Sequence, residues 1–262
     1  MLEIKDIYKT FNKDTIVEKK ALNGITFDIN DGDFITVIGS NGAGKSTLLN
    51  AIAGTWPLDS GSIKIDNEEV SHLPDFKRAA YIGRVFQDPM VGTAGDMQIE
   101  ENLALAKRRG QNRGLKIGIT KEERIEYQNL LKEFDLGLED RLETKVSLLS
   151  GGQRQALTLL MATLVKPKIL LLDEHTAALD PKTAAKVLNI TDEVVKKYNL
   201  TTFMVTHNMK DALKYGNRLI MMCDGKIIFD AKDEEKQKLK VEDLLAKFNS
   251  ANSEISDAML LA

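Results

Sequence analysis

The chain has almost no cysteine, no basic excess and no long apolar run. A single cysteine, Cys223, in 262 residues excludes an intrachain disulfide and fits a reducing compartment. With 36 Lys and Arg against 39 Asp and Glu, the net charge is −3. The basic surface that a sequence-independent nucleic-acid binder needs is therefore missing. No stretch reaches the ~18 apolar residues of a membrane helix, and the opening Leu2-Glu3-Ile4-Lys5-Asp6 alternates apolar and charged, unlike a signal peptide. If the chain serves a membrane process, the spanning part is expected on another polypeptide. What remains is ordinary for a globular protein, 43% hydrophobic and 29% charged, with ample length for a buried core.

Short apolar runs punctuate that length. Residues 2–7 and 25–29 alternate in period two, as half-buried strands do. Residues 34–38 run directly into Gly39, and 63–65 follow a Ser60-Gly61 turn. Further runs lie at 169–172, 202–206 and 219–222, the last continuing through Asp224-Gly225, a hairpin signal, into 226–229. Helical patterns separate them, which predicts a mainly parallel α/β core with an antiparallel N-terminal portion. From about 89 to 165 the patterns are helical only. Thr120 and Glu123 form a capping box, followed at helical spacing by Tyr127, Leu130, Leu131 and Phe134, with Leu136-Gly137 as the stop. The expected layout is a single domain: an α/β core from 1–88 and 166–230, an inserted helical subdomain at 89–165, and a helical tail at 231–262. In that tail Val241, Leu244, Leu245 and Phe248 share one face. The basic, glycine-containing stretch 107–119 reads as a solvated loop; contact with anionic headgroups or a membrane partner is the alternative.

Three motifs carry chemistry. Gly39-Ser40-Asn41-Gly42-Ala43-Gly44-Lys45-Ser46, continued by Thr47, fits G-x-x-x-x-G-K-[ST] after a strand. Its backbone N–H groups can converge on phosphates at a helix start, Lys45 can reach the β- and γ-phosphates, and the Ser46 hydroxyl can ligate Mg²⁺. Such a pattern arises by chance in roughly one chain of this length in a hundred. Asp173, ending the run 169–172, is placed to hold Mg²⁺, and Glu174 is the candidate general base for an attacking water. Leu149-Ser150-Gly151-Gly152-Gln153 is the third motif. Ser150 is read as an N-cap, with two glycines leaving N–H groups bare at the start of a helix from Gln153 to Val165. One nucleotide is not easily held by both anion sites of one copy, so two copies are expected to meet head to tail.

With these motifs the chain resembles the ABC ATPase family over nearly its whole length. The resemblance implies a P-loop NTPase core with helices on both faces of the sheet, and the cofactors ATP and Mg²⁺. It implies that Gln87 in Val85-Phe86-Gln87-Asp88-Pro89 senses Mg²⁺ or the attacking water. It assigns Asp180 to the loop that crosses the dimer interface; locally Asp180 is also an N-cap before Pro181. His207 takes the role of the histidine that contacts the γ-phosphate. Phe11 stands where the family stacks an aromatic on adenine, with Tyr8 as its rival. His175, where many relatives have proline, is read as a turn residue. The implied partners are a second copy of the chain, integral membrane permease subunits and, indirectly, a substrate-binding lipoprotein, with no nucleic acid. The implied place is the cytoplasmic face of the membrane, held through the permease.

Finer wording at 85–89, 99–106, 155–163 and 173–181 resembles bacterial tryptophan/tyrosine-type ABC importer ATPases and implies import of a small solute such as an amino acid. Lipid or peptide export is the alternative direction. Soluble nucleic-acid- or translation-linked ABC proteins are the remaining alternatives. The chain has neither the long coiled-coil or cysteine-rich insertion of the first nor the tandem cassettes of the second.

Overall fold

The computed structural model describes residues 2–111, 118–134 and 137–260, with side chains to residue 251. It runs β1 (Leu2–Phe11), β2 (Lys19–Ile29), β3 (Phe34–Gly39), α1 (Lys45–Ala53), β4 (Ser60–Ile65), β5 (Glu68–Glu69) and a single turn α2 (Asp75–Arg78). Next come β6 (Ile82–Val85), α3 (Ile99–Lys107), α4 (Lys121–Glu133), a 3-10 turn (Val146–Leu148), α5 (Gly151–Thr163), β7 (Ile169–Asp173) and α6 (Pro181–Tyr198). The chain closes with β8 (Thr202–Val205), α7 (Met209–Lys214), β9 (Arg218–Cys223), β10 (Lys226–Lys232), α8 (Asp233–Lys238) and α9 (Val241–Leu260). Contacts divide it into two units, Met1–Arg78 with Thr201–Ala262, and Ala79–Leu200.

In the first unit an antiparallel sheet is ordered β2-β1-β4-β5. Along β2 the expected alternation holds, with Ile25, Phe27 and Ile29 buried and Thr26 and Asp28 exposed. Ile4 and Ile7 are three apart yet both buried. A bulge at Asp6 (φ 50) explains this: it shifts the register against β2 and lets the Asp6 N–H donate to Thr26 Oγ1 at 2.8 Å. In the same unit β3 pairs in parallel with both β8 and β9, and β10 folds back antiparallel on β9. The turn between these two is Asp224-Gly225, with φ 45 and 72, as a type I′ hairpin requires. The core against this sheet holds Ile38, Ala212, Leu219 and Met221 with Leu244 and Phe248 of α9. Leu245 is 46% exposed, so the apolar stripe of the tail is narrower than the sequence suggests.

Arg78 and Lys236 are among the cations buried in this unit. Arg78 is 1% exposed and donates to the carbonyls of Ala51 (2.7 Å) and Ile52 (3.0 Å) at the end of α1, and to those of Leu73 (2.9 Å) and Ser71 (2.8 Å). Burial lowers its pKa. Lys236 of α8 is 3% exposed and donates to Thr36 Oγ1 (3.3 Å) on β3 and to the carbonyls of Tyr215 and Gly216 (3.0 Å). Burial pushes its pKa down to about 8. The unfolded chain therefore keeps this proton up to about pH 10.5 while the folded chain gives it up near pH 8. Between those limits the unfolded state binds more protons, so stability rises with pH. Urea midpoints compared with those of Lys236→Met should move in the parent's favour from pH 7.5 to pH 9.5; a constant difference would place the proton elsewhere.

In the second unit β6 and β7 pair in parallel. The sequence gives no hint of β6, a four-residue strand interrupted by Gly83 and Arg84. The glycine is needed because a Cβ there would lie 2.5 Å from the Ala162 carbonyl of α5. Between 89 and 165 the described residues form helices and one isolated bridge, Gln98 with Lys145. The capping box of α4 is present: Glu123 N donates to Thr120 Oγ1 (3.2 Å), and Thr120 N donates to Glu123 Oε2 (2.9 Å). Tyr127, Leu131 and Phe134 are buried. The expected stop includes Leu136, which lies outside the described residues, as do 112–117 of the basic stretch. The part that is described is not a free loop. Lys107 ends α3 and pairs with Glu126, Arg108 pairs with Glu123 (3.1 Å), and Arg109 donates to Val165 O (2.6 Å) just beyond the end of α5. Among the described residues no helix is long and apolar enough to cross a membrane.

Candidate functional site

The sequence-derived site residues divide between the units. Phe11, residues 39–47 and His207 lie in the first, and Gln87, residues 150–153, Asp173, Glu174 and Asp180 in the second.

The phosphate loop is the turn between β3 and α1. Gly44 has φ 100, and a Cβ there would collide with the Ala21 carbonyl, so only glycine fits. Gly225 N donates to Ala43 O at 3.0 Å, which ties the loop to the β9–β10 hairpin. Lys45 is 6% exposed, and its ammonium donates to the carbonyls of Gly39 (2.7 Å) and Ser40 (3.0 Å). Ser40, Asn41, Gly42 and Ser46 are exposed. The loop thus presents its outer edge, residue Ser46 included, to solvent and holds a cation beneath.

Phe11 ends β1 and meets Trp56 with ring centroids 4.9 Å apart at 79°. Asp59 fixes this corner: its Oδ2 accepts from Thr10 N at 2.6 Å, and its Oδ1 accepts from Lys9 Nζ at 3.3 Å. The rival Tyr8 is 36% exposed, and its hydrogen bond with Asp6 raises the phenol pKa. Sequence reading missed Trp56; the one signal was a lone tryptophan in the turn after the loop helix. It also missed Lys19, which pairs in register with Phe11 and whose Nζ lies 2.7 Å from where a Cβ on Gly42 would sit. His207 follows β8 and is exposed; the next residue, Asn208, caps α7 through its side chain.

In the second unit Glu174 directly follows β7 with φ 44, left-handed and unfavourable for a side chain by about 1–2 kcal/mol. Asp173 lies 3.7 Å from the Arg84 guanidinium, whose planar group also stacks 4.4 Å from the centre of Phe86. Burial lowers the Arg84 pKa, against the opposing pull of Asp173. His175 lies in the turn, as expected, with its side chain buried: it is 2% exposed, its Nε2 lies 3.1 Å from Thr191 Oγ1, and burial pushes its pKa down to about 4.

Gln87 is exposed just beyond β6. The preceding Phe86 carbonyl accepts from Gln155 Nε2 of α5 at 3.2 Å, so this turn and the helix begun by 150–153 are joined directly. Ser150 caps that helix as expected, and Gln153 completes a capping box with it: Gln153 N to Ser150 Oγ 3.3 Å, and Ser150 N to Gln153 Oε1 3.2 Å. Gly152 has a packing reason that the sequence did not suggest, because a Cβ there would collide with Thr183 of α6. Asp180 caps α6 through Thr183 N (3.1 Å), with Pro181 in the first position; these hydrogen bonds lower its carboxyl pKa.

Among the described residues no group of three His, Cys, Asp or Glu could hold a metal. Ser46 in the first unit offers a hydroxyl oxygen and Asp173 in the second a carboxylate, each a donor type that Mg²⁺ takes. That ion takes one or two protein oxygens and completes its shell with phosphate and water.

A family model described as ABC transporter matches residues 22–177. The chain is 47% identical over 251 residues to a tyrosine transport ATP-binding protein of Clostridioides difficile (strain R20291), covering 96% of this chain and 100% of that one. It is 32% identical to the spermidine/putrescine import ATP-binding protein PotA of Pasteurella multocida (strain Pm70), covering 97% of this chain but only 65% of that longer one. Among solved structures it resembles the ATP-binding cassette MJ0796, in a dimeric post-hydrolysis state bound to ADP and Pi. The TM-score is 0.76 at 31% identity, covering 88% of this chain and 98% of that one. The chain therefore belongs to the ABC transporter family, as one of its ATP-binding, ATP-hydrolysing subunits.

Proposed function

We propose that this chain is the ATPase subunit of an importer for a small solute, an aromatic amino acid such as tyrosine, and works on the cytoplasmic face of a membrane permease. The observation that carries this reading is the 47% identity across the full length of a tyrosine transport ATP-binding protein. Two copies assemble head to tail, each ATP lying between residues 39–47 of one copy and 150–153 of the other; the dimeric form of the similar cassette supports this.

Phosphoryl transfer to water asks mainly for positioning and charge stabilisation. Phe11 stacks on adenine. The backbone of 39–47 cradles the phosphates, Lys45 neutralises their charge, and His207 holds the γ-phosphate. Glu174 takes the proton of the attacking water, and Gln87 orients that water. Asp180 meets the second copy. Ser46, Asp173 and Gln87 would hold Mg²⁺, which would supply further neutralisation of the phosphate charge.

The test is ATPase activity of this chain reconstituted in liposomes with its permease and solute-binding protein. Turnover should rise severalfold with tyrosine or tryptophan and not with spermidine. Stimulation by spermidine alone would overturn the cargo, and solute movement out of the ATP-containing compartment would overturn the direction.

A further inference from the structure

We propose that Lys19 is a second nucleotide-binding cation, reaching the α- and β-phosphates of ATP from a strand outside the phosphate loop. This rests on the reading that residues 39–47 bind ATP.

Lys19 opens β2 and is the register partner of Phe11 across the antiparallel ladder. Directly opposed residues hold their Cβ atoms about 4.5–5.5 Å apart, so the lysine stem starts beside the adenine platform. Its far end is at the phosphate loop: a Cβ built on Gly42 would stand 2.7 Å from the Nζ and 3.9 Å from the Cε. One side chain thus spans from the residue proposed to hold the base to the loop proposed to hold the phosphates. The part of a nucleotide between those points carries the phosphates nearest the ribose.

Charge points the same way. Lys19 is exposed, and among the described residues no carboxylate forms an ion pair with it. The nearby acid Glu18 is engaged with Asp14 N at 3.0 Å. An exposed ammonium beside the phosphate loop, with no acid paired to it among the described residues, gains a counter-charge when an anion arrives. Lys45 is its complement, buried under the same loop and donating to the carbonyls of Gly39 and Ser40. The two ammonium groups come from different elements, one covered and one open. As a point charge on a flexible stem, Lys19 should favour affinity over geometric selection. It should act on ATP and ADP alike, because both carry the α- and β-phosphates.

The test is calorimetric titration of the purified full-length chain with ATP and with ADP, in the parent and in Lys19→Met, Lys19→Arg and Lys45→Ala. Lys19→Met should raise the Kd for both nucleotides about tenfold, the scale of one lost charge-assisted hydrogen bond. Lys19→Arg should stay within threefold of the parent. A Lys19→Met Kd within twofold of the parent for both nucleotides overturns the inference, as does an arginine variant as weak as methionine. A loss confined to ATP moves the contact to the γ-phosphate and overturns the assignment made here. Lys45→Ala separates the two readings. If it too leaves binding unchanged, the nucleotide site itself is misplaced; if it removes binding while Lys19→Met does not, only Lys19 is wrong.

Discussion

Glu174→Gln should lower ATP turnover by about 10²–10⁴-fold, the usual contribution of a positioned general base, and let ATP-bound chains accumulate as dimers. Glutamine has the size and shape of glutamate but cannot take a proton from water. The backbone argues for this residue independently of the motif. Glu174 holds φ 44 directly after β7, a conformation that persists only where the surroundings enforce it, and β7 itself is buried along Ile169–Leu172. The strand therefore fixes where the carboxylate leaves the sheet. Phosphate release measured beside size-exclusion chromatography in Mg²⁺–ATP reads both effects; turnover at the parent's rate would assign the base to another residue.

Arg78→Met should lower the unfolding free energy by about 3–5 kcal/mol, because several buried carbonyls lose their donor at ~1–3 kcal/mol each while the desolvation cost of the guanidinium is relieved. Methionine keeps most of the apolar stem and leaves the carbonyls of Ala51, Ile52, Leu73 and Ser71 without the donor that now serves them. Two of these end α1, where a cation also opposes the negative pole of the helix. For a chain of this size each kcal/mol moves the melting midpoint by about 2–4 °C, so a fall on the order of 10 °C is expected in circular dichroism. A change below about 1 kcal/mol would show that water replaces the guanidinium.

What the sequence disclosed and what it hid follow from the range of the interactions. The phosphate loop was legible because its needs are local: Gly44 must be left-handed, and the lysine and hydroxyl must follow at fixed spacing. The caps at Thr120, Ser150 and Asp180 were legible for the same reason. The box closed by Gln153 also carried its signal, a serine followed three residues later by glutamine. By contrast, β6 lacks an alternating pattern because Gly83 yields to α5 and Arg84 turns to Asp173 and Phe86. The burial of Arg78, Lys236 and His175 has no local signal, because the carbonyls or the hydroxyl that receive them are supplied by other segments of the fold. Lys19 and Trp56 acquire meaning only from partners brought close by tertiary structure.

The pairing of β3 has a consequence for the order in which the molecule can be made. β3 carries the phosphate loop at its end, yet its two neighbours, β8 and β9, begin at Thr202 and Arg218. A growing chain releases the loop early and must synthesise the whole of Ala79–Leu200 before the strand beneath it finds either flank. The second unit is continuous and can collapse as it emerges. The first must wait, with an apolar strand uncovered, for a late and distant closure of the kind that slows folding and invites misassembly. Nascent chains halted before Thr202 should therefore be the most aggregation-prone lengths, and binding to immobilised ATP should begin only after Cys223 has been added.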